Sequence, residues 1–359
     1  MSRSIGTGGG RTSGSRRTVL GAAIGLGAGA AAVSMFMAAP ASLAAVGVPA
    51  ATAGPRVVVS APSYDFRTPD AITNDGPNVW VGSAGSVVTE INGTTGARIR
   101  TLTAANYQFS EPEAIAPVGP NIWVSNANGD TVTVLNATNG NLVRVISAPR
   151  YQFDHPGSIV TNGTDTWVTN TWGDMVTEIN ATTFSLVRVI SGPAYRFNLI
   201  PGITLSGPYL WVTSNSGNTL TQFRASNGAL VRVLSAPRYR FNKPWIITTV
   251  GRYVWETNFG GSSVTEINGS TGALVRVLSA PWFRFSGPAG IVANNNDIWV
   301  TNTGPYSVTK FTTAGAFRGV ISAPRFQFNQ PDRDAVDGTH VWVTNPLGNS
   351  VSGFLTSLN

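Results

Sequence analysis

The chain has 359 residues, no cysteine and a formal charge of +7, with 11% charged and 42% hydrophobic residues. The absence of cysteine excludes a disulfide framework, thiolate metal sites, a thiol nucleophile and a lipid-modified cysteine anchor. Few charges beside many Gly, Pro and Trp argue against a charge-driven disordered chain, and abundant Thr, Val, Asn and Gly favour strands and turns.

Residues 1–44 have the layout of an export signal. Arg16 and Arg17 precede a weakly apolar stretch from Leu20 to Met37, and small residues then offer cleavage after Ala41 or Ala44. The paired arginines are similar to a twin-arginine signal, although Val19 and Gly21 stand where that motif has Phe and Lys. Residues 45–55 are expected to be a linker, and residues 56–359 the folded domain, secreted or otherwise extracytoplasmic. No later apolar run reaches the roughly 18 residues of a membrane span, so no transmembrane segment is expected in the mature chain. Four arginines lie in the leader, leaving 20 basic and 17 acidic residues, too even a balance to call for nucleic acid.

From residue 56 onward the chain repeats. Trp80, Trp123, Trp167, Trp211, Trp255, Trp299 and Trp342 are 43 or 44 residues apart, and a second ladder from Phe66 to Phe328 keeps the same register. The third unit shows the pattern within each repeat. Strand a is expected over Ser158–Thr161, strand b over Trp167–Asn170, strand c over Met175–Asn180 and strand d over Leu186–Ser191, with turn residues between. Four short strands per unit, seven times over, predict an all-β, seven-bladed β-propeller with four antiparallel strands per blade. The last unit ends on strand c, near Ser350–Leu358, while Arg56–Ser60 aligns with strand d. The N-terminal strand is therefore expected to complete the last blade, as a closed ring requires and an open solenoid does not. The Trp ladder reads as core between blades. The strand-d arginines (Arg100, Arg144, Arg188, Arg232, Arg276) read as charge guarding an exposed edge. Asn-x-Thr triplets such as Asn92-Gly93-Thr94 read as turn chemistry.

The repeat W-V-T-N, Gly, S-V-T-E-I-N resembles the YVTN repeat of β-propellers and is similar to NHL-type repeats and, distantly, to the streptogramin B lyase propeller. The resemblance covers residue 56 to the end. Its lyase branch implies metal-assisted ring opening by a histidine and glutamates on one face. This chain departs there: it has only His155 and His340, and the glutamate position of the lyase's W-F-T-E reads Ser83, Asn126, Asn170, Ser214, Asn258, Asn302 and Asn345.

Departures from the repeat mark candidate sites. On the segments joining strand d to the next strand a, residues 106–115 carry −2 and residues 238–247 carry +3. Asp65, Asp70, Glu111 and Glu113 are thus expected on an acidic arc of the loop face. Arg196, Arg238, Arg240, Lys243 and Arg284 are expected opposite, together orienting a polar or zwitterionic ligand. Asp334 stands where six blades have Ile, and Glu256 replaces the Val of W-V-T-N. Arg333 is a ready ion-pair partner for Asp334, and Arg252 or Lys243 for Glu256. Trp172, Trp245, Trp282 and Tyr306 lie outside the Trp ladder and are expected on loops of the same face, as candidate stacking residues. The ligand-binding set is Arg196, Arg240, Lys243, Trp245, Trp172, His155 and Glu256.

No hydrolase elbow, phosphate loop, dinucleotide fingerprint or zinc helix motif is present. The expected function is a binding or interaction module, a monomer without cofactor, whose partner is a protein, a cell-wall polymer or a polar small molecule. The alternative is a lyase or lactone hydrolase using Asp70, Glu113 and Asp334 with a divalent cation, Asp334 being the metal candidate.

Overall fold

The computed structural model describes residues 56–60, 62–294 and 296–358. The leader and linker therefore lie outside the described residues. The described chain forms seven four-stranded antiparallel sheets and no α-helix. Strands a to d follow in order within residues 69–102, 112–146, 156–190, 203–234, 244–278 and 288–321, which are blades 1 to 6. Blade 7 takes three strands from Asp334–Val336, His340–Asn345 and Ser350–Leu355. Its fourth strand is Arg56–Val59, in the register Val57↔Gly353, Val58↔Ser352 and Val59↔Val351.

The Trp ladder explains why the blades assemble. All seven ladder tryptophans are fully buried, and each packs into the following blade. Trp255 of blade 5 lies with Ile291, Ile298 and Val300 of blade 6. Trp342 of blade 7 lies with Val79, Val81 and Ile91 of blade 1, so the apolar packing returns to its starting point. Burying one such ring removes about 4–6 kcal/mol worth of apolar contact with water, an upper bound set by the extended-chain reference.

Polar repeats are equally architectural. The S-A-P-R-Y segment forms a 3-10 turn, as in Pro149–Tyr151, before strand a. In every blade the strand-c hydroxyl donates to a carbonyl of this turn, from Thr89 to Tyr64 at 2.7 Å through Thr265 to Tyr239 at 2.9 Å and Ser352 to Phe326 at 2.5 Å. The Asn of W-V-T-N donates to that same hydroxyl at 2.9 Å in blades 3, 5 and 7, among others. In blades 2, 3, 5 and 7 its Oδ1 accepts a backbone N–H three residues after the turn, as Asn258 does from Asn242. Asn fits this buried position because it both donates and accepts, which a carboxylate does not. In the c-to-d turns, Asn92 Oδ1 accepts the N–H groups of Thr94 and Thr95, as the turn reading expects.

The strand-d arginines are more than edge charges. Arg100, Arg188 and Arg276 pair with Glu90, Glu178 and Glu266 of strand c at 2.7, 3.0 and 2.7 Å. Their remaining guanidinium nitrogens donate to carbonyls in the next blade's c-to-d turn, Thr138 for Arg100 and Ser226 for Arg188. They staple neighbouring blades, because a guanidinium has enough donors to serve two partners at once.

Replacing Thr265 with Val keeps the shape but strands the Asn258 amide and the Tyr239 carbonyl. Chemical unfolding of Thr265→Val is expected to show a loss of about 1–3 kcal/mol. A loss below about 0.5 kcal/mol, the range of neutral surface changes, would remove the structural role assigned to this relay.

Candidate ligand site at the channel mouth

Strand a enters the ring just after the d-to-a turn, and its first residues meet those of other blades. Arg333, entering blade 7, donates from Nη2 to Glu113 Oε1 of blade 2 at 2.9 Å. Its guanidinium also lies over the ring of Trp245 in blade 5, 5.8 Å from the centroid. Blades 2, 5 and 7 are not neighbours, so these contacts cross the central channel. Asp332 adds a carboxylate 3.9 Å from Arg333 Nε. Asp70 of blade 1 lies within electrostatic reach of Glu113, Asp332 and Arg333. The mouth is thus a cluster of Asp70, Glu113 and Asp332 around one Arg333, faced by Trp245.

The electrostatics follow from burial and crowding. Burial lifts Glu113 to about 7 against the opposing pull of Arg333, with Asp332 and Glu111 adding to the rise. Burial and the charge of Glu113 raise Asp70 well above the ordinary carboxylate range. Asp332 and Arg333 were not singled out as site residues by the sequence, because Arg333 reads locally as the partner of Asp334. Asp334 feels the charges of Arg333 and Asp332 but makes no ion pair with Arg333. Its Oδ1 lies 2.7 Å from where a Cβ on Gly290 would stand, so the missing side chain of Gly290 makes room for it between blades 6 and 7. Among the described residues no three His, Cys, Asp or Glu side chains form a metal-ligating group, so Asp70, Glu113 and Asp334 do not make the expected three-carboxyl metal site.

The remaining candidates are dispersed. Arg196 and Arg240 sit just after the 3-10 turns with φ of 54° and 56°, a left-handed position repeated in other blades by Gln108, Gln152, Arg284 and Gln327. Their exposed side chains donate to Ser235 and Ser279. Lys243 and His155 share a second repeated left-handed position, with their backbone N–H groups held by Asn218 and Asp130 of the preceding blade. These conformations belong to the architecture and are not local strain. The expected rim of facing charges is not one ring: Asp70 and Glu113 are buried, while Arg196, Arg240, Lys243 and Arg284 are exposed further along the loops.

Trp245 is not a loop residue. It stands on strand a, Pro244–Val250, partly buried against Arg333 and Phe259. Trp172 is 54% exposed on a b-to-c loop and stacks on His155 at 4.0 Å and 6°. Burial pushes His155 down despite the opposing pull of Asp130 and Asp154. The two tryptophans serve different neighbours and share no platform. Phe259, Tyr306 and Leu347 are exposed on the b-to-c loops of blades 5, 6 and 7.

Glu256 corrects a further expectation. It is 1% exposed, and neither of its oxygens has a hydrogen-bond partner among the described residues. Arg252 instead lies over Tyr253, and no cation offsets the rise in the Glu256 carboxyl that burial imposes.

No protein-family model matches the sequence, and no curated protein matches it. The fold is that of a seven-bladed β-propeller, and solved structures share it. A catalytically inactive virginiamycin B lyase from Staphylococcus aureus, with quinupristin, superposes with a TM-score of 0.71 at 17% identity, covering 83% of this chain and 98% of that one. The Kuenenia stuttgartiensis hydrazine synthase gives 0.67 at 16% identity over 82% and 97%. BamB from Moraxella catarrhalis gives 0.53 at 17% identity over 80% and 82%. The likeness is one of fold.

A carboxyl whose folded pKa is raised keeps its full contribution below the unfolded value and destabilises as pH climbs towards the folded one. Glu256→Val is therefore expected to be more stable than the parent, by a margin that widens from pH 4 to pH 8 at up to about 1.4 kcal/mol per pH unit. Urea unfolding across that range checks it, and a margin independent of pH contradicts the reading.

Proposed function

We propose that this protein is an extracytoplasmic binding module that engages its ligand or partner through the channel mouth and the d-to-a and b-to-c loops around it. One observation carries this reading: the mouth carboxyls are gathered on Arg333, with Trp245 across the channel, an arrangement suited to recognition. Exposed Trp172, Phe259, Tyr306 and Leu347 on the b-to-c loops support a contact surface, since large exposed apolar side chains anchor partners. Extracytoplasmic placement rests on Arg16-Arg17, the apolar stretch and the cleavable small residues of the leader. Among the described residues no helix is long and apolar enough to cross a membrane. A protein, a cell-wall polymer or a polar small molecule remains the expected partner class, with the chain acting as a monomer and without cofactor.

A second reading, a lyase or lactone hydrolase, is favoured by a different observation. Glu113 and Asp70 are held with raised pKa values, as general acids are. It calls for turnover by the purified protein that Glu113→Gln abolishes.

A photocrosslinking residue installed in place of Trp172 is expected to capture a partner saturably, while one at Gly119, in an a-to-b turn, captures none. Equal labelling from both positions contradicts the proposed face.

A further inference from the structure

Three carboxyls share the channel mouth with a single guanidinium, and the hydrogen bonds leave a specific remainder. Glu113, more than nine-tenths buried, commits Oε1 to Arg333, while its Oε2 has no partner among the described residues. Arg333 in turn lies over Trp245, so the aromatic face already holds one cation. Asp332, Arg333 and Trp245 are partly exposed, whereas Asp70 and Glu113 are buried. The site therefore offers an unmatched buried acceptor on Glu113, the partly exposed carboxyl of Asp332 and an aromatic wall, three features that together recognise an organic cation.

We propose that the channel mouth binds an alkylammonium group, its nitrogen hydrogen-bonded to the free oxygen of Glu113 and to Asp332 and its alkyl chain running along Trp245, whose face Arg333 already covers. The proposal rests on the binding-module reading and names the ligand chemistry of its site. A lysine side chain of a protein partner and a free small amine present the same group. A divalent metal ion fits less well, since the described residues do not bring three ligating side chains together.

Binding must be coupled to protons. The groups facing the mouth are Asp70 from blade 1, Glu111 and Glu113 from blade 2, and Asp332, Arg333 and Asp334 from blade 7, with uncharged Trp245 from blade 5. A cation favours their deprotonated forms. With Glu113 near 7, affinity rises with pH through neutrality and binding releases protons.

The test is calorimetric titration of the purified protein with n-butylamine and Nα-acetyl-lysinamide, against n-butanol and Nα,Nε-diacetyl-lysinamide, at pH 6 and pH 8. Both amines are expected to bind at least tenfold more tightly than their uncharged counterparts, and more tightly at pH 8. Stronger binding by the lysine derivative points to a protein partner, and stronger binding by butylamine to a small amine. Glu113→Gln, which keeps the acceptor for Arg333, is expected to weaken both at least tenfold and to reduce the pH dependence. Trp245→Phe is expected to retain binding that Trp245→Ala loses, with thermal melts confirming that each variant folds. Equal binding of charged and uncharged probes, or an unchanged Glu113→Gln, overturns the proposal. A partner captured from position 172 by a protein that binds neither amine overturns this inference alone and leaves the broader reading standing.

Discussion

Every blade depends on its neighbour to cover its tryptophan. Trp80 packs with Ile115 and Val124 of blade 2, Trp167 with Ile203 and Val212 of blade 4, and Trp342 with Val79 and Val81 of blade 1. A sheet of four short strands has no core of its own in this arrangement; the apolar surface is buried only where two sheets meet. Stability is therefore a property of the ring, and the strand Arg56–Val59 matters beyond its four residues because it completes the blade that meets blade 1.

The polar groups divide by the same logic. Side chains that recur serve the joints: the strand-c hydroxyls tie each blade to its 3-10 turn, and the strand-d arginines tie it to the following blade. Side chains that break the repeat sit where nothing in the joint requires them. Asp332 and Arg333 exemplify this, since they follow the Pro331 that opens blade 7 and reach residues of blades 1, 2 and 5. A channel lined by seven equivalent positions lets one altered blade meet several others, and the channel mouth is assembled in this way. Glu256 is the contrary case: it breaks the repeat inside a joint, and the result is a buried carboxyl without a partner.

Blade number and strand order were legible because Trp and Phe recur at a period that local packing enforces. Strand c at Met175–Asn180 coincides with its sequence reading, and strand a begins two residues earlier than the pattern implied, at Pro156. The inter-strand ion pairs were legible in principle: Glu90 and Arg100, Glu178 and Arg188, and Glu266 and Arg276 all stand ten residues apart. The Arg333–Glu113 pair was not, because it joins residues 220 apart across a channel whose width no local pattern encodes. The same limit hid the role of Trp245, which reads as a loop aromatic until its strand is placed on the channel wall. The likeness to lyase, synthase and BamB folds leaves the chemistry to these individual side chains, because fold and activity are separable.

The interdependence of the blades is tested most directly by removing the strand that completes blade 7. A chain truncated before residue 61 should unfold in one cooperative transition at a markedly lower temperature than the parent, with all tryptophan signals shifting together. Six blades melting unchanged while only the last is lost would contradict a ring stabilised as a whole.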